Sequence, residues 1–157
     1  MNKTTLANFI KFLESNDLAQ FDIMGDGADQ FSNRFKIQKY VFLAQRLGLK
    51  LPYKYDIYLY GPYSKQLTGA YYYLARNRDK YEMTDGGLDE SFDADRFLRV
   101  TKDKTTKWLE IAATLIDINP HCTDREELLK QVKRIKDEPE PGYISKVLCE
   151  LEELRLV

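Results

Sequence analysis

Between Phe35 and Leu47 the chain carries apolar side chains over more of a helical wheel than a surface helix needs. At about 100° per residue, Ile37, Tyr40, Val41, Leu43, Ala44 and Leu47 fall on one broad arc. A helix with such an arc has to lie inside, with other elements wrapped around it. The spacing therefore predicts a core helix over about 31–47, closed by Gly48. Gln38, Lys39, Phe42, Gln45 and Arg46 fall on the other side, with Phe35. Phe35 and Phe42 beside Lys39 and Arg46 make a second, mixed face. Two readings of it stay open. Either another helix covers it and the basic heads reach out to water, or it is a contact surface for a partner. The first reading places Tyr40 and Leu43 in the core and leaves the charges of Lys39 and Arg46 at its edge.

Elsewhere the pattern is mainly α with a small β component. Thr4 or Thr5 can cap a first helix with Leu6, Phe9, Ile10 and Leu13 as its stripe, ended by Ser15-Asn16-Asp17. Tyr55, Ile57 and Leu59 alternate with Asp56, Tyr58 and Tyr60, the period of a strand. Gly61-Pro62-Tyr63-Ser64 is a turn that starts a helix running to about Arg76. Tyr81-Glu82-Met83-Thr84 alternates again and stops at Asp85-Gly86-Gly87, and 88–100 is ambiguous. Helical spacing returns from Trp108 to Asn119-Pro120. Thr123 and Glu126 have the spacing of a capping box, and Ile144, Val147, Leu148, Leu151 and Leu154 form a final stripe. The 157 residues suit one domain, or a core of 1–100 with a helical extension, 101–157, packed on it.

Charge is segregated. Residues 31–80 hold ten bases and two acids, whereas the whole chain has 24 bases and 25 acids. The same segment carries nine of the 11 tyrosines. Basic groups attract an anionic surface, and aromatic rings add flat contact area or fill a core. The alternative is that the acidic flanks fold back over the basic segment.

Lys36-Ile37-Gln38-Lys39-Tyr40-Val41-Phe42, followed by Tyr60-Gly61-Pro62-Tyr63-Ser64, resembles the YwgA-type family, related to the SocA/Panacea superfamily of antitoxin and regulatory domains. The matching stretch covers about 31–87, and the Gly-Pro-Tyr-Ser turn favours the YwgA side. The chain departs in carrying Phe42 where a hydroxylated aromatic is common, and its acidic helical C-terminal part is unmatched. The resemblance implies a winged-helix-like core with additional C-terminal helices. The segment 81–87 is similar to the first wing strand and turn of many winged helices. That places helix 62–76 where a recognition helix lies, with Lys65, Gly69, Tyr72 and Arg76 on one face and Tyr63, Ser64 and Arg78 near its ends.

Catalytic chemistry has little to stand on. His121 is the one histidine and sits in a predicted loop beside Cys122, a poor spacing for a metal centre or a triad. Cys149 falls in the last apolar stripe and is expected to pack. Asp85, Asp89, Glu90, Asp93 and Asp95 lack calcium-loop spacing, and Gly25-Asp26-Gly27 lacks the ending of a phosphate loop. No cofactor or metal is expected. Two cysteines predict a reducing cytoplasm. No apolar run reaches the roughly 20 residues that span a bilayer. The expected function is a regulatory or protein-interaction module, antitoxin-like or an adaptor, whose partner is a toxin or regulatory protein. The alternative is a nucleic-acid-binding regulator, and a homo-oligomer fits either. Candidate contacts are Lys39, Phe42, Arg46, Tyr63, Ser64, Lys65, Tyr72, Arg76 and Arg78.

Overall fold

The structure, a computed structural model, describes residues 2–157. Helix α1 (Asn2–Ser15) leads to α2 (Ala28–Arg46), followed by a short hairpin, β1 (Asp56–Tyr58) and β2 (Gly61–Tyr63). Helices α3 (Lys65–Arg76), α4 (Arg78–Glu82), α5 (Ala94–Thr101), α6 (Thr106–Ile118), α7 (Arg125–Ile135) and α8 (Tyr143–Glu153) complete the chain. The fold is mainly α with a small antiparallel sheet, as the sequence pattern implies.

Two helices carry the centre. Every residue of α2 from Ile37 to Ala44 is buried, and so is every residue of α6 from Trp108 to Ile116. Helix α6 lies against α2 and β2 on one side and against α7 and α8 on the other. Helix α1 packs on α3, and Phe9, Phe12, Phe92 and Phe97 interlock edge to face where α1 meets α5. Tyr40 and Leu43 are in the core as expected. On the mixed face of α2, α6 and β2 close over Phe42 and Lys39, while Arg46 keeps its charge at the edge as expected. Phe42 is fully buried, against the rings of Tyr55 and the guanidinium of Arg46.

The hairpin is narrow. Asp56 pairs with Tyr63, Ile57 with Pro62 and Tyr58 with Gly61, leaving Leu59 and Tyr60 as the connection. Its alternation does not produce a buried side: Ile57 and Leu59 are exposed along with Tyr58 and Tyr60. A three-residue ribbon offers too little width, and only β2 leans on α2 and α6. Gly61 has φ +89°, and a Cβ there would stand 2.8 Å from Thr114 Oγ1 and 3.3 Å from the Glu110 carbonyl. This close approach seats the hairpin on α6.

Several local expectations are corrected. Residues 78–82 are helix α4, so no strand follows α3 and the expected wing is missing among the described residues. Asn77 is the hinge: α3 ends with its backbone N–H on Tyr73 O, and α4 starts from the same residue. The Gly-Pro-Tyr segment is a strand, and the helix begins only after Ser64. Helix α1 begins at Asn2, ahead of both threonines. The capping box is displaced by one residue. Asp124 caps the Glu127 N–H at 2.8 Å, while the Glu127 carboxylate accepts from the Thr123 N–H at 3.0 Å.

Candidate functional site

The two sequence motifs, about twenty residues apart, meet in space. Gln38 Nε2 donates to Ser64 O at 3.0 Å and to Thr68 Oγ1 at 2.9 Å, and its Oε1 accepts from the Ser64 N–H at 2.9 Å. Lys39 Nζ donates to Pro62 O at 2.8 Å. Neighbouring residues on α2 thus hold both sides of the hairpin-to-helix junction. Buried amides and ammonium groups need such partners, because an unpaired one costs about 1–3 kcal/mol.

A second lysine reaches the same hairpin from the far end of the chain. Lys136, just past α7, donates to Leu59 O at 2.7 Å and pairs with Glu110 Oε2 at 3.0 Å. Glu110, from α6, also faces Lys107 at 3.7 Å. The tip is therefore supported from beneath by Lys39, Lys136 and Glu110, all buried. Lys39 is 2% exposed, and burial brings its pKa down to about 8 against the attraction of Glu110.

Between the hairpin, α2 and the middle of α3 lies a pocket of about 360 Å³. Its walls are aromatic: Phe31, Phe35, Tyr58, Tyr60, Tyr63 and Tyr72. Tyr60 meets Phe31 edge-on at 5.5 Å, and Tyr58 meets Tyr63 at 5.4 Å. Thr68 Oγ1 donates to the Tyr63 hydroxyl at 2.6 Å and lies 3.3 Å from that of Tyr71. The charged lining groups are Arg34 and Lys39; no carboxylate lines the pocket. Outside it, Leu59 is 77% exposed, with Tyr60 and Phe31 each 45% exposed.

The nine expected contact residues separate into five groups. Lys39, Tyr63 and Tyr72 come together on the pocket. Lys39 does not leave its charge at an edge, since the hairpin covers it. Phe42 and Ser64 are fully buried and present nothing to a partner; Ser64 instead caps α3, accepting from the Leu67 N–H at 3.2 Å. Arg46 lies over Phe42 and faces Asp117 at 3.7 Å on α6. Lys65 and Arg76 stand exposed on α3, with Arg76 over the Tyr72 ring. Arg78 is exposed but tethered, donating to Phe21 O at 3.0 Å and facing Glu82 at 3.6 Å.

Other candidate groups are spent locally. Asp89 accepts from the Ser91 N–H, and Asp93 caps α5 through the Arg96 N–H. His121 is exposed, as is Cys149, whose sulfur accepts from Arg125; the last stripe leaves Cys149 outside because Val147, Leu148 and Leu151 take the inner positions. Among the described residues no three His, Cys, Asp or Glu side chains gather as a metal site requires, and no helix is long and apolar enough to cross a membrane. The sequence pattern does not single out Arg34, Glu110 or Lys136, and it places Gln38 and Tyr60 in the two motifs and Tyr58 in the strand alternation without a site role. The signal that pointed nearest to them was the density of tyrosines between 53 and 73. Neither family models, nor curated proteins, nor solved structures give a match to this chain.

Proposed function

We propose that the chain is a non-enzymatic regulatory or protein-interaction module, of the antitoxin or adaptor kind, which grips a toxin or regulatory protein with the β1–β2 tip. The observation that carries this reading is a patch of large apolar side chains, Ile57, Tyr58, Leu59 and Tyr60 exposed on a pinned hairpin and Phe31 of α2 against Tyr60. Apolar residues scattered singly on a surface mean little, but a contiguous group costs solubility and is retained where it is covered. Rigid support lowers the ordering cost of association, and aromatic anchors supply most of the binding energy in such contacts.

The test is a photoreactive amino acid placed at Leu59 in cells, with a control at Met83, which is equally bare but lies away from the hairpin. A partner cross-linked from Leu59 and not from Met83 is then purified. Leu59→Asp should weaken its binding at least about tenfold while leaving the melting temperature unchanged. Indistinguishable cross-linking from the two positions, or full affinity in Leu59→Asp, would defeat the reading.

A second reading, a nucleic-acid-binding regulator, draws on the outer face of α3. Lys65 and Arg76 are exposed there and make no ion pair among the described residues, and α3 contains no acidic residue. Helix α6 and the acidic segments behind it cover α2 and β2 and do not reach this face.

A further inference from the structure

The pocket beneath the hairpin tip shares Phe31, Tyr58, Leu59 and Tyr60 with the apolar patch, but neither reading uses its interior. We infer that it is a small-molecule site whose ligand is a planar aromatic carboxylate. The inference stands apart from the identity of any protein partner.

Size and wall chemistry define the body of the ligand. About 360 Å³ is at the small end of the range that holds metabolite-sized molecules, roughly 300–1,000 Å³. The rings of Tyr58, Tyr60, Tyr63 and Tyr72 from one side, with Phe31 and Phe35 from α2, offer flat faces and edges. A fused or substituted aromatic ring fills such a slot with stacked and edge contacts, whereas a flexible aliphatic chain would have to give up its rotamer freedom.

Charge defines its other end. Arg34 and Lys39 are the charged groups on the lining, and both are cations. Lys39 Nζ donates its one hydrogen bond to Pro62 O and lies 4.8 Å from the centre of the Phe35 ring, which leaves the ammonium with spare N–H donors. Its nearest acidic neighbour, Glu110, is already engaged by Lys136 at 3.0 Å. The buried ionic set of Lys39, Lys136 and Glu110 thus carries one positive charge in excess. With Arg34 the excess is larger, so an anionic end group is favoured, and a planar carboxylate on a flat ring suits both the aromatic slot and the forked donors of a guanidinium. Arg34 Nη1 is fixed by Ile23 O at 2.6 Å and Gly25 O at 2.8 Å. This presents the rest of its guanidinium at the pocket in a set orientation.

The experiment is calorimetric titration of the full chain with naphthoate, its neutral amide and naphthylmethylamine. Naphthoate should bind with about tenfold or greater preference over the amide, and the amine should not bind. Arg34→Gln should weaken naphthoate about threefold to tenfold, and Lys39→Met more than that. If Lys39→Met folds poorly, the unaltered chain answers the same question through pH. Binding of the anion needs the ammonium, so affinity should fall by about tenfold between about pH 7 and about pH 9, as Lys39 loses its proton. Equal affinity for the three probes, a naphthoate affinity indifferent to pH, or no binding at millimolar probe would each overturn the inference.

Discussion

The β1–β2 tip and the outer face of α3 both come from the basic, tyrosine-rich middle of the chain, and they are built in opposite ways. Helix α3 keeps Leu67, Ala70, Tyr71 and Leu74 inside and Lys65 and Arg76 outside. At the tip the order is reversed: Leu59 and Tyr60 face water, while Lys39 and Lys136 lie beneath. The α3 arrangement follows from solvation alone and needs no special account. The inverted one carries a cost, since an ammonium group leaves water. That cost is offset by carbonyls of the turn, Pro62 and Leu59, which would otherwise be short of donors, and by Glu110. An arrangement held against the ordinary solvation preference fixes the hairpin in one place, and the tip can then display apolar side chains without collapsing onto the core.

The largest effect should come from breaking the seat of the hairpin. Gly61→Val places a branched side chain at φ +89° and drives its Cβ into Thr114 and the α6 backbone. Strain and overpacking together should cost on the order of 4 kcal/mol. Chemical denaturation would measure it. Near-normal stability would mean that the hairpin can shift away from α6, and that the tip is not fixed as described.

The pH dependence should come next, and it separates the two regions directly, because α3 exposes its cations and the tip buries one. Lys39 has a folded-state pKa of about 8, below the ordinary 10.5. Between about pH 8 and about pH 10 the unfolded chain therefore binds more protons at this site than the folded chain does. Stability should rise across that window by about 2 kcal/mol, with the full cost of the buried charge present below it. Above about pH 10 the trend should reverse. Burial holds the hydroxyls of Tyr40, Tyr55, Tyr71 and Tyr81 above their ordinary range. The unfolded chain then loses those protons first. In Lys39→Met the rise should vanish and the fall remain. A flat profile in the unaltered chain would show that the Lys39 ammonium is hydrated.

A smaller change should uncouple the two regions. Ser64 joins them: its backbone is bound by Gln38, and its hydroxyl caps α3. Ser64→Ala removes the cap and leaves both Gln38 bonds possible. Stability should fall by about 1 kcal/mol, and cross-linking from Leu59 should be unaffected. Loss of that cross-link would show that the cap also sets the hairpin position.

The difference between the regions also governs what could be read from the sequence. Helix α3 obeys periodicity, so its outer face and its end near Arg76 were legible. The central part of α2 was legible as core, and cover over its mixed face was one of two readings open there; the burial of the Lys39 ammonium was not legible. Whether Lys39 reaches water depends on Pro62 and on Glu110, residues 23 and 71 positions away in sequence. Local spacing carries no information about such partners. Lys136 was illegible for the same reason, because its role depends on Leu59, 77 residues earlier. The wing failed differently. Four alternating residues are too few to override the helical propensity of Arg78-Asp79-Lys80-Tyr81-Glu82 once Asn77 restarts a helix.

The smallest effect on stability is expected at α3, and it decides between the two functional readings. Lys65→Gln with Arg76→Gln removes two exposed charges that make no ion pair among the described residues. Such surface changes should alter stability by less than about 0.5 kcal/mol. If α3 tracks a nucleic-acid backbone, the unaltered chain should bind duplex with an affinity that falls steeply with salt, by a log–log slope of about −0.9 for each phosphate contacted. The double variant should then lose about two units of that slope and weaken binding across sequences alike. Arg78 is left out of the variant because it is tied to Phe21 O and Glu82, so its replacement would disturb packing as well as charge. Helix α3 has no wing beside it to share the contact, and the apolar patch lies on the hairpin. We therefore expect no duplex binding at physiological salt, and no difference between the double variant and the unaltered chain. Salt-sensitive binding that the double variant loses would transfer the function from the tip to α3.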